Sequence, residues 1–253
     1  MRVALIVVAC LGSLTCSLAS SLEHAQALGS FEDAALPLIE LSANKLPQNV
    51  NWTELHAVTP VTNQGHFNNS WAFAAVGVVE SRKFIQKGKL VPLSAQNLID
   101  CCQTHKRRIS TALKCIQAKG INTASKYPYR GLAGKCRFSK LLTSVTKIKK
   151  MVKGARGSET KLAADVYKGP VAAVISSTVI ANYKSGIYFN PSCGRTADLP
   201  VLIVGYGHNA SYGDYWLLKT SLGTQWGERG YMRLARNRNN MCGIADDTYY
   251  PTF

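Results

Sequence analysis

Residues 63–73 have the types and order needed to place a polar group at the start of a buried helix. Residues 71–86 contain no proline, are apolar nearly all round in their first half, and are followed by Gly88, which predicts a helix that ends there. A side-chain oxygen from residues 68–70 could cap this helix. A helix start inside a protein presents unpaired N–H groups and a positive dipole end. The Ser70 hydroxyl at this end needs a positioned base before it can act as a nucleophile.

Residues 64–73, with Gln-Gly followed by Ser-Trp-Ala-Phe, resemble the active-site segment of papain-like cysteine proteases, whose pattern is Gln-Gly-x-Cys-Gly-Ser-Cys-Trp-Ala-Phe. The resemblance covers residues 46–253 apart from one shortened loop after Cys102, and cathepsin L-like members are the most similar. It implies an α+β fold with two lobes. The helical N-terminal lobe is built on a central helix, and the C-terminal lobe is β-barrel-like.

Papain-like catalysis uses a cysteine thiolate at a helix start, a histidine that deprotonates it and an asparagine that orients the histidine. The resemblance assigns these three positions to Ser70, Leu199 and Thr220, and it assigns the retained side-chain donor of the oxyanion hole to Gln64. Leu199 cannot accept a proton. The sequence therefore predicts a pseudo-protease, that is, a member of the cysteine-type endopeptidase family that is not an enzyme and that acts by binding.

A residual hydrolase is the alternative hypothesis. It would use Ser70 as the nucleophile together with a relocated base, for which His56, His66 and His208 are candidates, although each is typical of an ordinary loop histidine. Losing a whole catalytic unit leaves the rate supplied by binding and the oxyanion hole, roughly 10³–10⁴ over water in the worked serine-protease case. A peptidase assay discriminates between the two hypotheses.

Residues 1–19 have the charge, apolar segment and small-residue cleavage site of a secretory signal. Residues 20–45 are about one helix long, which is shorter than the inhibitory propeptide that the resemblance implies, so we expect a short propeptide remnant. A degenerate papain-like domain over residues 46–253 follows. The expected location is the extracellular space or a lysosomal or vesicular lumen, where disulfides and glycosylation are permitted. No second apolar run is long enough to span a membrane.

Six cysteines follow the signal, and six cysteines allow fifteen pairings. The resemblance implies two disulfides, Cys101–Cys136 and Cys193–Cys242, each stabilising the fold by roughly 2–4 kcal/mol. It offers no template for Cys102 and Cys115, which could pair or stay free. It also places Phe67 where the family has a disulfide cysteine. The Cys and His spacings form no zinc motif, so we expect neither a metal nor a cofactor.

The basic charge is concentrated in one segment. The chain carries a formal net charge of +16, and residues 102–157 contain no Asp or Glu but 15 of the 30 Lys and Arg residues. Such a field attracts polyanions, so sulfated glycans or another acidic partner are predicted. The candidate binding residues are Lys106, Arg107, Arg108, Lys147, Lys149 and Lys150. A solvated basic face is the alternative. Papain-family inhibitors are a further candidate partner, and no specific nucleic acid is expected.

Three segments match the acceptor pattern for N-linked glycosylation, with Asn51, Asn68 and Asn209 as the modified residues. Asn68 belongs to the pattern because Ser70 supplies its hydroxyl. A glycan there would lie beside the start of the central helix, and the alternative is that this site folds away unmodified.

Overall fold

The computed structural model describes residues 46–102, 107–138 and 146–253. The predicted signal and propeptide remnant, together with Lys106, lie outside these ranges. The helices are α1 (Ser70–Lys87), α2 (Ala95–Cys101), α3 (Ile109–Lys119), α4 (Glu159–Tyr167), α5 (Val179–Asn182) and a 3-10 turn (Met241–Gly243). The strands are β1 (Val50–Asn51), β2 (Lys150–Lys153), β3 (Val171–Ile175), β4 (Ile187–Tyr188), β5 (Leu199–Asn209), β6 (Gly213–Lys219), β7 (Tyr231–Ala235) and β8 (Thr248–Thr252).

The strands form one sheet with the order β2-β8-β3-β5-β6-β7-β4, and β1 pairs with β5 off this path. Only β4 and β7 run parallel among the strands of the described residues. The long strand β5 pairs with β3 on one side and with β6 on the other. Because β5 begins at Leu199, the sheet fixes the position of this residue directly.

The central helix α1 begins and ends close to where the sequence predicts. Ala72, Ala75, Val78 and Val79 are completely buried on it, and they pack with α2, α3 and the sheet in one apolar cluster. Gly88 ends the helix in the left-handed conformation, with its N–H donated to the carbonyl of Phe84. At the other end, Asn69 occupies the N-cap position, but its side chain makes no cap hydrogen bond.

A second apolar cluster lies around β5, β6 and β7 and is covered by α4. Trp216, Leu218, Leu234 and Ile203 are completely buried in it. Apolar runs over residues 171–175, 186–189, 201–207 and 215–219 predict strands, and β3, β4, β5 and β6 form there. Burial of these large side chains supplies most of the favourable free energy on this side of the molecule.

Helix α3 follows directly on the stretch that the resemblance describes as a shortened loop, and the sequence analysis did not predict it. Its buried residues follow helical spacing: Ile109, Ala112, Leu113 and Ile116. The structure also pairs Cys102 with Cys115, which joins the end of α2 to α3. Two further disulfides join Cys101 to Cys136 and Cys193 to Cys242. Among the described residues, no helix has the length and apolar character needed to cross a lipid bilayer.

Candidate functional site

Ser70 is the first residue of α1 and is only 3% exposed. Leu199 is the first residue of β5, where it pairs with Ile175 on β3 and is also buried. The neighbours of both residues line one cleft: Asn68, Trp71, Asp198 and Pro200. The fold therefore brings the segments that carry these two predicted positions to the same place.

Gln64 is held from two sides. Its backbone N–H donates to the carbonyl of Ser221 at 2.8 Å, and its side-chain Oε1 accepts a hydrogen bond from the Ser221 hydroxyl at 2.8 Å. Its own carbonyl accepts a hydrogen bond from the Tyr129 hydroxyl at 2.8 Å. Thr220, the residue before Ser221, is buried and donates its hydroxyl to the carbonyl of Gly230 at 3.0 Å. The Thr220 hydroxyl is therefore bonded to the backbone.

The start of α1 is fixed by the loop around Tyr129. The Asn69 side chain donates Nδ2 to the Tyr129 hydroxyl at 3.1 Å and to the carbonyl of Gly131 at 2.7 Å. The Asn69 amide nitrogen is therefore bonded to another segment, and its side chain makes no cap hydrogen bond. Phe67 lies against Gly131, where an added Cβ would come within 2.2 Å of the ring. An aromatic contact and an amide thus fix this region without a disulfide at position 67.

The three candidate bases lie on exposed positions, and none hydrogen-bonds to Ser70 within the part of the chain that the structure describes. His208 pairs with Asp214 instead, with 2.8 Å between Nδ1 and Oδ1. His208 follows Leu199 by nine residues on the same strand, which corresponds to about 30 Å at 3.3 Å per residue. His66 lies in the turn before α1, and His56 has a positive φ of 54° in a loop. Among the residues that the structure describes, the geometry supplies a hydroxyl at a helix start, with no imidazole hydrogen-bonded to it.

A cleft of about 780 Å³ opens beside the start of α1, and we call it the basic cleft. Its cationic lining residues are Arg107, Arg108, Lys153, Arg156 and Arg195. Its acidic lining residues are Asp198, Asp246 and Asp247. Lys153 and Asp247 approach to 3.6 Å, and the Asp198 carboxylate accepts hydrogen bonds from the backbone and hydroxyl of Ser177.

The predicted polyanion-binding residues separate into two groups. Arg107 and Arg108 line the basic cleft, whereas Lys147, Lys149 and Lys150 are exposed but do not line it. Lys153 and Arg156 also belong to residues 102–157, which we call the acid-free stretch, but they are not among the predicted binding residues. Arg195 lies far from that stretch in sequence, and no local signal marks it. Within the described ranges, no group of three or more His, Cys, Asp and Glu side chains could hold a metal ion.

Asp100, which is buried in α2, holds the loop that fixes Asn69. Its carboxylate accepts hydrogen bonds from Tyr127, Arg130 and two further donors, the Gln96 amide and the Gly134 N–H, all between 2.7 and 2.9 Å. Burial alone would raise the pKa of Asp100. The hydrogen bonds outweigh burial and hold the pKa below its ordinary value.

Glu80 and Lys219 form a second buried set of polar groups, bridged by Thr59. Glu80 accepts hydrogen bonds from the Leu93 N–H at 2.6 Å and the Thr59 hydroxyl at 2.8 Å, and Lys219 donates to the Thr59 carbonyl at 2.6 Å. Burial raises the pKa of Glu80. Burial also lowers the pKa of Lys219 to about 8, against the opposing effect of Glu80. This set connects the middle of α1 to the residue that precedes Thr220.

Comparison with known proteins identifies the protein family to which this chain belongs. The family described as "Papain family cysteine protease" matches residues 46–252. Cathepsin L from Sarcophaga peregrina is 40% identical over 218 residues, covering 82% of this chain and 64% of that protein. Cathepsin S from Bos taurus is 39% identical over 218 residues, covering 82% of this chain and 65% of that protein.

Solved structures agree with this class. Digestive procathepsin L 3 of the Tenebrio molitor larval midgut has a TM-score of 0.78 at 37% identity, covering 84% of this chain and 72% of that one. The bromelain protease from Ananas comosus, in complex with the E64 inhibitor, has a TM-score of 0.75 at 34% identity, covering 82% and 100%.

This chain belongs to the papain family of cysteine proteases, and its relatives include cathepsin L-like proteins. The predicted family and the predicted α+β papain-like fold are confirmed. The chain spans just under two thirds of the length of the two cathepsins compared above, 64% and 65%.

The prediction that the chain is a pseudo-protease and not an enzyme is wrong against these comparisons. The family is one of cysteine proteases, the relatives are named as cathepsins, and the structural neighbours are proteases. The prediction of inactivity rests on Ser70, Leu199 and Thr220, and it excludes one route, activation of the nucleophile by a histidine at position 199. Two other features that the sequence analysis assigns to the site, Gln64 and the buried helix start, are present in the fold, and a cleft lies beside the helix start.

Proposed function

We propose that this papain-family chain binds acidic polymers, with sulfated glycans as the first candidates, at the basic cleft. The observation that carries this proposal is the convergence of five cationic side chains on one concave surface. Four of them come from the acid-free stretch, and Arg195 joins them from a distant segment. Because they face a common space, a single polyanionic chain could contact several of them at once.

The chemistry of the lining residues supports an anionic ligand. Four of the five cations are arginines, whose planar guanidinium groups pair with sulfate or phosphate oxygens through two parallel hydrogen bonds. The Lys153–Asp247 pair is partly exposed, with 55% and 32% of the two side chains accessible, so it contributes little and a ligand could displace it. Asp198 is already engaged with Ser177. The volume also falls in the range of ligand clefts, roughly 300–1,000 Å³.

We propose that this binding takes place outside the cell or in a vesicular or lysosomal lumen. The signal-like residues 1–19 and the three disulfides support this location. Sulfated glycans are polyanions that a secreted protein can meet there.

Retention on immobilised heparin, measured as a function of salt, tests the binding proposal. The variant Arg107→Ser/Arg108→Ser is expected to elute at lower salt than the unchanged protein. The slope of log affinity against log salt should fall by about one unit for each lost contact, because each contact releases counterions. The matched control is Lys147→Ser/Lys149→Ser, which removes the same charge outside the cleft. Equal losses in the two variants would show that net charge, and not the basic cleft, controls retention.

Peptide-bond hydrolysis with Ser70 as the nucleophile is a second candidate function. The observation that favours it is the position of Ser70 at a buried helix start, with the retained Gln64 on the loop before it. Turnover of peptide substrates by the purified protein that is lost in Ser70→Ala would support it. Equal rates in the unchanged protein and in Ser70→Ala would contradict it.

A variant that restores the family residues sharpens this test. Ser70→Cys/Leu199→His/Thr220→Asn should cleave peptides at least 10²-fold faster than the unchanged chain, because general-base assistance contributes roughly 10²–10⁴. The variant should also react with the E64 inhibitor, which is bound in the bromelain structure. Ser70→Cys alone is the matched control, since it supplies a thiol without the base.

A further inference from the structure

The three glycosylation patterns of the chain lie in different surroundings. Asn209 is the last residue of β5 and pairs with Gly213, the first residue of β6. The three residues between them form an exposed hairpin turn, and Tyr212 at its end is 75% exposed. The positive φ of Gly213, 81°, lets the chain return after three turn residues. The whole Asn-Ala-Ser pattern is therefore on the surface.

The Asn209 side chain is held by one of its two polar atoms. Its Oδ1 accepts hydrogen bonds from the backbone N–H groups of Ser211 and Tyr212, both at 3.0 Å. Its Nδ2, the atom that would carry a sugar, has no hydrogen-bond partner among residues 46–102, 107–138 and 146–253. The turn thus orients the amide and leaves the reacting nitrogen open.

The other two patterns lack this combination. Asn51 donates Nδ2 to Glu54 at 2.7 Å and accepts the hydroxyl of Thr53 at 2.7 Å, so both functional groups of that pattern are bonded. Asn68 is exposed, but the two residues that follow it, Asn69 and Ser70, are each 3% exposed.

We propose that Asn209 is a site of N-linked glycosylation. The donor class is an oligosaccharide linked to a lipid through a pyrophosphate. Asn209 Nδ2 forms a bond to C1 of the first sugar, the C1–O bond to the pyrophosphate breaks, the lipid pyrophosphate leaves, and the amide loses one proton. The glycan would lie ten residues along β5 from Leu199, about 33 Å away. It would therefore leave the basic cleft open, and this proposal stands independently of the proposed function.

Expression of the full chain as a secreted protein in eukaryotic cells tests the site. Treatment with peptide N-glycosidase in heavy-oxygen water converts a glycosylated asparagine to an aspartate that carries the heavy isotope, which peptide mass spectrometry locates. The label is expected at position 209. A secreted protein whose Asn209 peptide is recovered without label and without sugar would overturn the proposal.

Variants separate loss of the sugar from loss of the turn. Asn209→Gln removes both the acceptor and the two turn hydrogen bonds, so it could also impair folding. Ser211→Ala removes the acceptor pattern but keeps the Asn209 side chain, and it should remove the gel shift that the enzyme treatment produces. Ser211→Thr is the matched control and should keep this shift. Identical shifts for Ser211→Ala and the unchanged protein would contradict glycosylation at Asn209.

Discussion

Glu80 and Asp100 are both buried carboxylates in the helical half of the molecule, yet their surroundings shift their pKa values in opposite directions. Burial raises the pKa of Glu80, whereas for Asp100 the hydrogen bonds outweigh burial and lower the pKa. Asp100 accepts four hydrogen bonds, one of them from a guanidinium group. Glu80 accepts two, and Thr59 lies between it and Lys219. Deeper burial with fewer donors raises the pKa of Glu80, whereas four donors around the less deeply placed Asp100 lower its pKa, so the balance of burial and hydrogen bonds decides the sign of the shift.

The two carboxylates also support different parts of the candidate site. Asp100 holds the loop around Tyr127 and Gly134, and the same loop bonds Asn69 at the start of α1. Glu80 links α1 through Thr59 to Lys219, the residue before Thr220. Substitutions at the two carboxylates should therefore disturb the candidate site through different segments.

The largest expected effect comes from breaking the set around Glu80. Lys219→Met leaves Glu80 buried without its cationic partner, so the free energy of unfolding at neutral pH should fall by about 3–5 kcal/mol. Urea denaturation measures this. The matched control is Glu80→Gln/Lys219→Met, which leaves no unpaired charge and should be closer to the unchanged protein than the single variant. A single variant as stable as the unchanged protein would show that the ammonium group contributes nothing to this set.

A smaller effect is expected at Asp100. Asp100→Asn should reduce the free energy of unfolding by about 1.5–3 kcal/mol, the range for hydrogen bonds to charged groups. The folded-state pKa of Asp100 lies below its ordinary value of 3.8, so its stabilising contribution is present above pH 3.8. That contribution is lost as pH falls through the folded-state pKa. The stability difference between the two proteins should therefore shrink under acid, and a constant difference would argue against an ionised Asp100.

The smallest effect is expected from a substitution that tests the contact between the Phe67 ring and Gly131. Gly131→Ala adds a Cβ against the Phe67 ring at a residue with φ of 85°, and it should destabilise the protein by about 1–3 kcal/mol. The same change in a Phe67→Ala background should cost less, because only the backbone strain remains. Thermal unfolding of the four proteins gives this difference. Equal costs in both backgrounds would mean that the ring is not the obstacle.

Local patterns predicted the elements that are apolar and uninterrupted. The run after Ser70 and the stop at Gly88 predicted α1, and short apolar runs predicted β3, β5 and β6. Helix α3 was not predicted, although the spacing of Ile109, Ala112, Leu113 and Ile116 is helical, because the resemblance offered no template for the residues after the shortened loop.

The features that sequence could not supply depend on contacts between distant segments. The Asn69 side chain donates to the carbonyl of Gly131 and makes no cap hydrogen bond, an arrangement that depends on the folded loop. Arg195 lines the basic cleft although it lies outside the acid-free stretch. The Cys102–Cys115 pair remained open because it depends on the direction of α3 after α2. In each case the residue type was visible, but its partner was not.

The Cys102–Cys115 disulfide has a practical consequence for anyone preparing this protein. The bond closes the chain around Arg107 and Arg108, two of the cations of the basic cleft. A reducing bacterial cytoplasm keeps thiols reduced, so in protein made there the segment that carries both arginines would lack this covalent closure. For the same unglycosylated polypeptide, preparations from oxidising and reducing hosts would then differ in mass by only two hydrogens per missing bond. They would differ in how firmly these charges are held, so the choice of expression host becomes an experimental variable in every binding measurement.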